Sequence, residues 1–158
     1  MEPLRRLDLA APADARTLLA GCCGSTRWVD AMLARRPFGS MTALLESAAS
    51  IWRGLSQADW LEAFSHHPKI GDRNARGVAR REQSGAASAS EEVVRELAAA
   101  NHQYEARFGY LFIICATGKS AEAMLEALRD RLGNDAETEI RIAAEEQLKI
   151  AQLRLKGV

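Results

Sequence analysis

The amino-acid sequence predicts an all-α fold, a single compact domain over residues 1–158 with about seven to nine helices. Most segments carry apolar residues at three- and four-residue steps, a spacing that an alternating strand does not produce. Serine, aspartate, glycine and proline lie between these segments, where helices begin and end. The length suits one domain, and no internal repeat or linker interrupts it.

The first two predicted helices are short. One covers residues 13–20, because Pro12 suits a first helical turn and glycines follow the segment. Ser25 is predicted to cap the second helix, which runs to Ala34 and is stopped by Pro37.

The next two predicted helices lead to a loop that contains histidine. The longer one has an apolar face over about four turns, formed by Met41, Leu44, Leu45, Ala48, Ile51, Trp52 and Leu55. Ser56, with Asp59 three positions later, is a helix start signal. This helix is predicted to end near Phe64, because His67-Pro68 follows.

The C-terminal part contains three predicted helices and one ambiguous segment. Ser90 begins a long helix that reaches Phe108, and a second helix covers residues 120–132. Asp135 begins the last helix, whose buried side is predicted to hold Ile140, Ala143, Ala144, Leu148, Ile150 and Leu155. Residues 110–116 are continuously apolar, so periodicity cannot distinguish a strand from a buried helical turn. The lack of a partner strand favours a helix there.

Composition excludes several classes of partner. Lys+Arg and Asp+Glu both number 21, so no net field draws the chain to nucleic acid or an anionic membrane. An aromatic content of 6% argues against a stacking platform for single-stranded nucleic acid. No apolar run approaches the about 20 residues of a membrane helix. We therefore expect no nucleic-acid or membrane partner.

The cysteines indicate a reducing compartment. Cys22, Cys23 and Cys115 are an odd number, and two are adjacent, which does not suit a secreted disulfide framework. Charged residues interrupt the apolar positions of residues 4–9, so no secretory signal is seen. The sequence predicts a cytoplasmic protein.

The segment around His67-Pro68 places acid/base chemistry in a predicted loop. Histidine is the one side chain whose ordinary pKa, about 6.5, lies in the physiological range. Pro68 disfavours a helical conformation at His67, and Gly71 with Asp72 adds turn chemistry. Functional residues often lie on such loops. The simpler interpretation is a helix terminator with a solvated imidazole.

Several separated segments form a pattern along nearly the whole chain. They are Arg36-Pro37-Phe38, His67-Pro68-Lys69-Ile70-Gly71, Arg81-Glu82-Gln83-Ser84-Gly85, the block from Asn101 through Tyr104, Arg107 and Phe108-Gly109 to Phe112-Ile113, Gly118-Lys119-Ser120, Arg131 with Asn134, and Ile150 with Leu153-Arg154-Leu155. Each is weak alone. In this order they resemble the 2-oxo-4-hydroxy-4-carboxy-5-ureidoimidazoline (OHCU) decarboxylase family of urate breakdown.

The resemblance implies a carboxy-lyase that converts OHCU to (S)-allantoin and carbon dioxide, as a homodimer and without a cofactor or metal. The implied catalytic residues are His67 and Glu82. The residues implied to bind this small-molecule substrate are Pro68, Ala79, Arg80, Arg81, Gln83, Phe112, Ile113, Ile114, Cys115, Ala116 and Arg154.

These residue types fit the chemistry of decarboxylation. The enzyme must stabilise the electron pair left by carbon dioxide and then deliver a proton to one face. The substrate ring can take up the pair in its carbonyl or C=N system, so no pyridoxal, thiamine or metal is required. An acid/base group, an orienting carboxylate and a cation remain to be supplied, and His67, Glu82 and Arg154 are of these types.

Each candidate also has a simpler interpretation. His66 competes with His67, although adjacent side chains rarely share a face. Glu82 could be a surface carboxylate, and Arg154 could extend its charged head into water. Most side chains of residues 112–116 could belong to the core.

Two other kinds of site are not favoured. Gly118-Lys119-Ser120 lacks the first glycine of a phosphate-binding loop, since Ile113 occupies that position, and is predicted to begin a helix. The histidines and cysteines do not have metal-binding spacings; the candidates were His66, His67, His102, Cys22 and Cys23.

Two rival functions remain open from the residues alone. The same His/Glu pair could serve a hydrolase or isomerase of a neighbouring ureide, which product analysis would reveal. Alternatively, the chain could be an all-α module that binds a partner and uses its His-Pro loop structurally. An interaction assay without substrate would reveal that function.

Overall fold

The structure is a computed structural model that describes residues 2–69 and 90–157. This described part contains eight helices and no strand, so the predicted all-α class is confirmed. The helices are α1 (Pro3–Leu9), α2 (Pro12–Cys22), α3 (Thr26–Arg35), α4 (Met41–Arg53), α5 (Gln57–Phe64), α6 (Glu91–Phe108), α7 (Ala121–Arg131) and α8 (Ala136–Leu155). None of these helices is both long and apolar enough to cross a bilayer.

Serine side chains begin several helices, as predicted for Ser25, Ser90 and Ser120 but not for Ser40. The caps of α3, α4, α6 and α7 each accept a backbone N–H from three residues later, at 3.0 to 3.3 Å; they are Ser25, Ser40, Ser90 and Ser120. At α5, the Asp59 carboxylate accepts the Ser56 N–H, while the Ser56 hydroxyl accepts the Asp59 N–H. These bonds pair backbone donors that a helix end leaves unsatisfied.

Periodicity does not predict α1. Contacts with residues outside the helix hold it in place. Leu7 is fully buried, and the Arg36 guanidinium donates to the carbonyls of Leu7 and Ala10 at 2.9 and 2.7 Å. The Asp8 carboxylate accepts the N–H groups of Phe38 and Gly39 at 2.9 and 3.0 Å. A seven-residue helix is marginal alone, so these contacts account for its formation.

One compact unit consists of Met1–Ala63 and Gln147–Val158. Helices α2, α3 and α4 pack in sequence order, and the Trp28 indole N–H donates to the Ala48 carbonyl at 3.2 Å. The Trp60 indole N–H donates to the Trp52 carbonyl at 3.0 Å. The Gln152 amide reaches the Leu45 carbonyl at 3.3 Å, which attaches the C-terminal segment to α4.

The other compact unit is Phe64–Glu146, where α6 packs against α7. Its buried cluster is drawn from both helices and from the segment that joins them; it consists of Leu97, Ala100, Tyr104, Phe112, Ile114, Ala116, Ala121, Met124, Leu125 and Leu128.

The helix predicted for residues 110–116 is wrong. Gly109, with φ of 85°, ends α6 in a left-handed conformation, and residues 111–116 are neither helical nor paired as a strand. Phe112, Ile114 and Ala116 are buried in the cluster between α6 and α7. A continuously apolar segment can therefore be buried here without regular structure, because side chains rather than a helix satisfy part of its backbone.

Candidate active site

The His-Pro segment follows directly on α5. That helix ends at Phe64, as predicted, and the His67 N–H donates to the Phe64 carbonyl at 3.2 Å in the turn. His67 is partly buried, whereas His66 is exposed. The turn therefore gives adjacent histidines different surroundings, consistent with the predicted effect of Pro68.

Contacts on both sides of His67 attach this segment to the end of α6. The buried Phe64 ring lies 5.4 Å from the Tyr110 ring, centroid to centroid. On the other side, the Lys69 ammonium lies 3.5 Å from the Glu105 carboxylate. Both charged groups are substantially exposed, so solvent screening leaves the ring contact as the stronger attachment.

All five residues from Phe112 to Ala116 are buried, with 2 to 6% of each exposed. Their side chains contribute to the core, so the backbone is the polar part of this segment. Charged side chains bond that backbone at three points: Arg131 donates to the Ile113 carbonyl at 2.7 Å, Lys119 donates to the Cys115 carbonyl at 2.7 Å, and Glu146 accepts the Cys115 N–H at 3.0 Å.

A buried network around Glu139 supports Arg131. The Arg131 guanidinium donates twice to one Glu139 oxygen, at 2.8 and 2.6 Å, and the Tyr104 hydroxyl donates to the same oxygen. The Asn134 amide donates to the other oxygen at 3.0 Å. Arg131 also lies 4.5 Å from the centroid of the Phe112 ring, a cation–π contact. The network thus fixes both the ring and the following carbonyl of the segment.

The Tyr104 hydroxyl stays protonated and donates to Glu139 in this network. Burial, reinforced by the hydrogen bond to Glu139, raises its pKa far above the ordinary value of 10.0. Glu139 is fully buried, and Arg131 supplies the opposing charge that such a carboxylate requires.

The partly buried imidazole of His67 thus lies in the same compact unit as the irregular segment 112–116. Comparisons with known proteins agree on a family for this chain. The family model described as OHCU decarboxylase matches residues 9–156. The chain belongs to the OHCU decarboxylase family.

Individual relatives are named for uric acid degradation. The chain is 42% identical over 143 residues to the uric acid degradation bifunctional protein TTL of Arabidopsis thaliana, covering 85% of this chain and 44% of that protein. It is 26% identical over 162 residues to the bifunctional protein PucL of Bacillus subtilis, covering 100% of this chain and 32% of that protein. The chain therefore spans less than half the length of these relatives.

A solved structure is also similar. The crystal structure of OHCU decarboxylase in the presence of (S)-allantoin superposes with a TM-score of 0.78 at 37% identity, covering 86% of this chain and 92% of that one. Family membership thus rests on both sequence and fold.

The structure does not bring all predicted site residues of this family member into view. Residues 79–83 lie outside the described residues; the predictions that concern them are those for Ala79, Arg80, Arg81, Glu82 and Gln83. Their roles stay predictions, as do those of His67, Pro68 and the segment 112–116.

Arg154 lies in the last turn of α8, between exposed Leu153 and fully buried Leu155. It is partly buried, and its charge offsets a small part of the rise that burial causes in the pKa of the Cys23 thiol. Arg154 and His67 belong to different compact units. Its binding role stays a prediction.

The three cysteines of this family member are buried and form no disulfide. Burial raises the pKa of the Cys23 thiol to about 12, which keeps it protonated. Within the described ranges, no group of three or more His, Cys, Asp or Glu residues is arranged to hold a metal ion. Ser120 caps α7, so the prediction that Gly118-Lys119-Ser120 begins a helix is confirmed.

The predictions missed the network around Glu139, although periodicity carried a signal for it. Arg131 continues the buried face of α7 that contains Met124 and Leu128, at steps of four and three residues. Glu139 lies four residues before buried Ala143 on α8. Charged residues in a core register are expected to be paired, and these two are paired with each other.

Proposed function

We propose that this chain decarboxylates OHCU to (S)-allantoin and carbon dioxide in urate breakdown. Family membership supports the reaction class, and the Arabidopsis thaliana and Bacillus subtilis relatives are named for uric acid degradation. The observation that carries the proposal is the placement of His67: it lies outside the helix, is partly buried, and donates its N–H to the carbonyl of Phe64, whose ring packs against Tyr110.

The chemistry assigns each group one task. The bond from the ring to the carboxylate breaks, carbon dioxide leaves, and its electron pair passes into the adjacent C=N of the ring. A proton is then added to the ring carbon that carries the ureido group, and this carbon becomes the stereocentre of allantoin. The ring nitrogen that received the pair also takes a proton, and the neighbouring hydroxyl loses its proton as its carbon becomes a carbonyl. His67 delivers that proton, and Glu82 orients the imidazole or bonds the ureido group.

The remaining groups hold the substrate. The guanidinium of Arg154 is suited to a carboxylate or ureido carbonyl, because it offers paired donors in one plane. The backbone of residues 112–116 supplies further donors and acceptors, while Pro68 shapes the wall beside His67. The ring accepts the electron pair itself, so the proposed reaction uses no cofactor.

The proposal includes the setting of the enzyme. We place it in the cytoplasm as a homodimer that acts on a small ureidoimidazoline and has no nucleic-acid or membrane partner. Sedimentation equilibrium of the purified chain tests the dimer directly, since a mass of one chain contradicts it.

Product analysis tests the proposed reaction. Freshly prepared OHCU decays unaided to racemic allantoin, so the chain should both accelerate its loss and produce a circular dichroism signal of (S)-allantoin. The rate should survive dialysis against a chelator. Decay at the spontaneous rate, or formation of a product other than allantoin, would refute the proposal; a chelator-sensitive rate restored by one metal would refute its cofactor-free form.

A further inference from the structure

Three consecutive peptide groups of the segment 112–116 are each held at one end by a charged side chain. Arg131 binds the Ile113 carbonyl, Glu146 binds the Cys115 N–H, and Lys119 binds the Cys115 carbonyl. These atoms belong to the peptide groups that join residues 113–114, 114–115 and 115–116. We call the three charged side chains the backbone clamp.

The clamp determines where the other ends of these peptide groups point. Cis peptides in the described residues are confined to Arg36-Pro37, so the segment is trans throughout, and the C=O and N–H of each peptide group point in opposite directions. The N–H of Ile114, the C=O of Ile114 and the N–H of Ala116 are therefore directed away from the clamp. Two donors and one acceptor in a short stretch complement a ureide, which presents both C=O and N–H groups.

Holding residues 112–116 with buried charged side chains costs more free energy than continuing a helix through them. A helix continued from α6 through these residues would satisfy more of their backbone internally, with less need for the buried charged groups of Glu139, Arg131 and Glu146. Removing charged groups from water is costly even when they are paired. A short buried segment that depends on charged side chains for its shape is typical of a site where backbone direction has a use.

We propose that Arg131, Lys119 and Glu146 are positioning residues that fix the direction of the pocket-lining backbone for OHCU. The inference rests on the proposed function. The three side chains act through the peptide groups they bind, and Glu139 with Tyr104 keeps Arg131 in place. Loss of a clamp contact should therefore weaken substrate binding and the control of product chirality while the helices remain folded.

Glu146 provides the sharpest test. Glu146→Gln keeps a side-chain oxygen that can accept the Cys115 N–H, whereas Glu146→Met has a similar length and no such acceptor. Glu137→Met is the matched control, because Glu137 is exposed on the same helix. Lys119→Met and Lys119→Arg repeat the comparison at the Cys115 carbonyl. Arg131→Met is avoided as the main test, since unpaired Glu139 could prevent folding.

We expect Glu146→Met and Lys119→Met to raise the KM for OHCU about tenfold or more and to lower the enantiomeric excess of allantoin, because small misplacements of a binding group are costly. Glu146→Gln, Lys119→Arg and Glu137→Met should remain within about twofold of the parent. A purely structural role would reduce the folded fraction and leave KM and enantiomeric excess unchanged, and that result would overturn the proposal.

Two measurements without substrate make the test independent of turnover. In the folded Glu146→Met and Lys119→Met variants, hydrogen exchange at residues 111–118 and alkylation of buried Cys115 should both be faster than in the parent. If the parent does not turn over OHCU, the proposed function fails, and these two rates still decide whether the clamp holds the segment. Parent-like rates in both Met variants would show that it does not.

Discussion

His66 and His67 are adjacent, yet the turn after α5 exposes one and partly buries the other. We predict that His67→Ala and His67→Asn lose about 10²–10⁴ in OHCU decarboxylation rate, the usual contribution of one general acid/base group. Allantoin from these variants should be close to racemic, as in the spontaneous reaction. His66→Ala serves as the control and should keep rate and chirality. A folded His67 variant that still makes optically active allantoin at the parent rate would exclude His67 as the proton donor.

At Arg154, shape rather than charge is expected to matter. Arg154→Lys keeps the positive charge but loses the planar pair of donors, so we predict a higher KM for OHCU with little change in the helical circular dichroism. Steady-state kinetics checks this. Exposed Arg129 on α7, changed to Lys, provides a comparison in which constants should not move. Unchanged constants in Arg154→Lys would mean that its guanidinium does not bind substrate.

Ionisation of the Cys23 thiol should make the free energy of unfolding depend on pH in the alkaline range. Burial raises its pKa from 9.0 to about 12, so the folded state holds this proton more tightly than the unfolded state. The stabilisation is complete below the unfolded value and is lost as pH rises from 9.0 towards about 12. Urea unfolding between about pH 8 and pH 10 should show stability falling, by up to about 1.4 kcal/mol per pH unit for one proton. Cys23→Ala should flatten that fall, and identical slopes in both proteins would contradict the assignment.

At the scale of elements, local signals predicted helix starts well and the irregular segment poorly. Ser25 and Ser90 are caps because the serine oxygen accepts the N–H of the residue three positions later. A stretch of four residues therefore contains the whole signal. The segment 110–116 depends instead on Arg131 and Glu146, which are distant in sequence. No periodicity encodes such partners, so the backbone path was not predicted. The binding role of residues 112–116 comes only from the family resemblance and stays a prediction.

Helix α1 also depends on contacts that are distant in sequence, and Asp8 makes two of them. Its carboxylate accepts two backbone N–H groups from the connection between α3 and α4. We predict that Asp8→Ala lowers the free energy of unfolding by about 1.5–3 kcal/mol, the range for hydrogen bonds to a charged group. Asp14→Ala, at an exposed position on α2, should change it by about 0.5 kcal/mol or less. Equal effects in urea unfolding would show that the contacts of Asp8 do not hold α1.

For the whole molecule, the two compact units form one domain if they unfold together and two domains if they unfold separately. One unit is formed by two stretches that are distant in sequence, Met1–Ala63 and Gln147–Val158, so it needs both of them. Helix α8 runs continuously through the division at residues 146 and 147. Since helix formation is cooperative along the chain, we predict that both units unfold together, as the single-domain assignment of residues 1–158 requires.

Calorimetry with one variant in each unit checks this. The parent should show one transition whose calorimetric and van't Hoff enthalpies agree. Asp8→Ala weakens the first unit, and Asn134→Ala removes the amide that donates to Glu139 in the second. Each should move the same single transition downwards, by about 2–4 °C for every kcal/mol lost in a chain of this size. If either variant splits the transition, so that one part keeps the parent midpoint, the chain unfolds as two domains, because a defect in a cooperative unit cannot leave half of that unit unaffected.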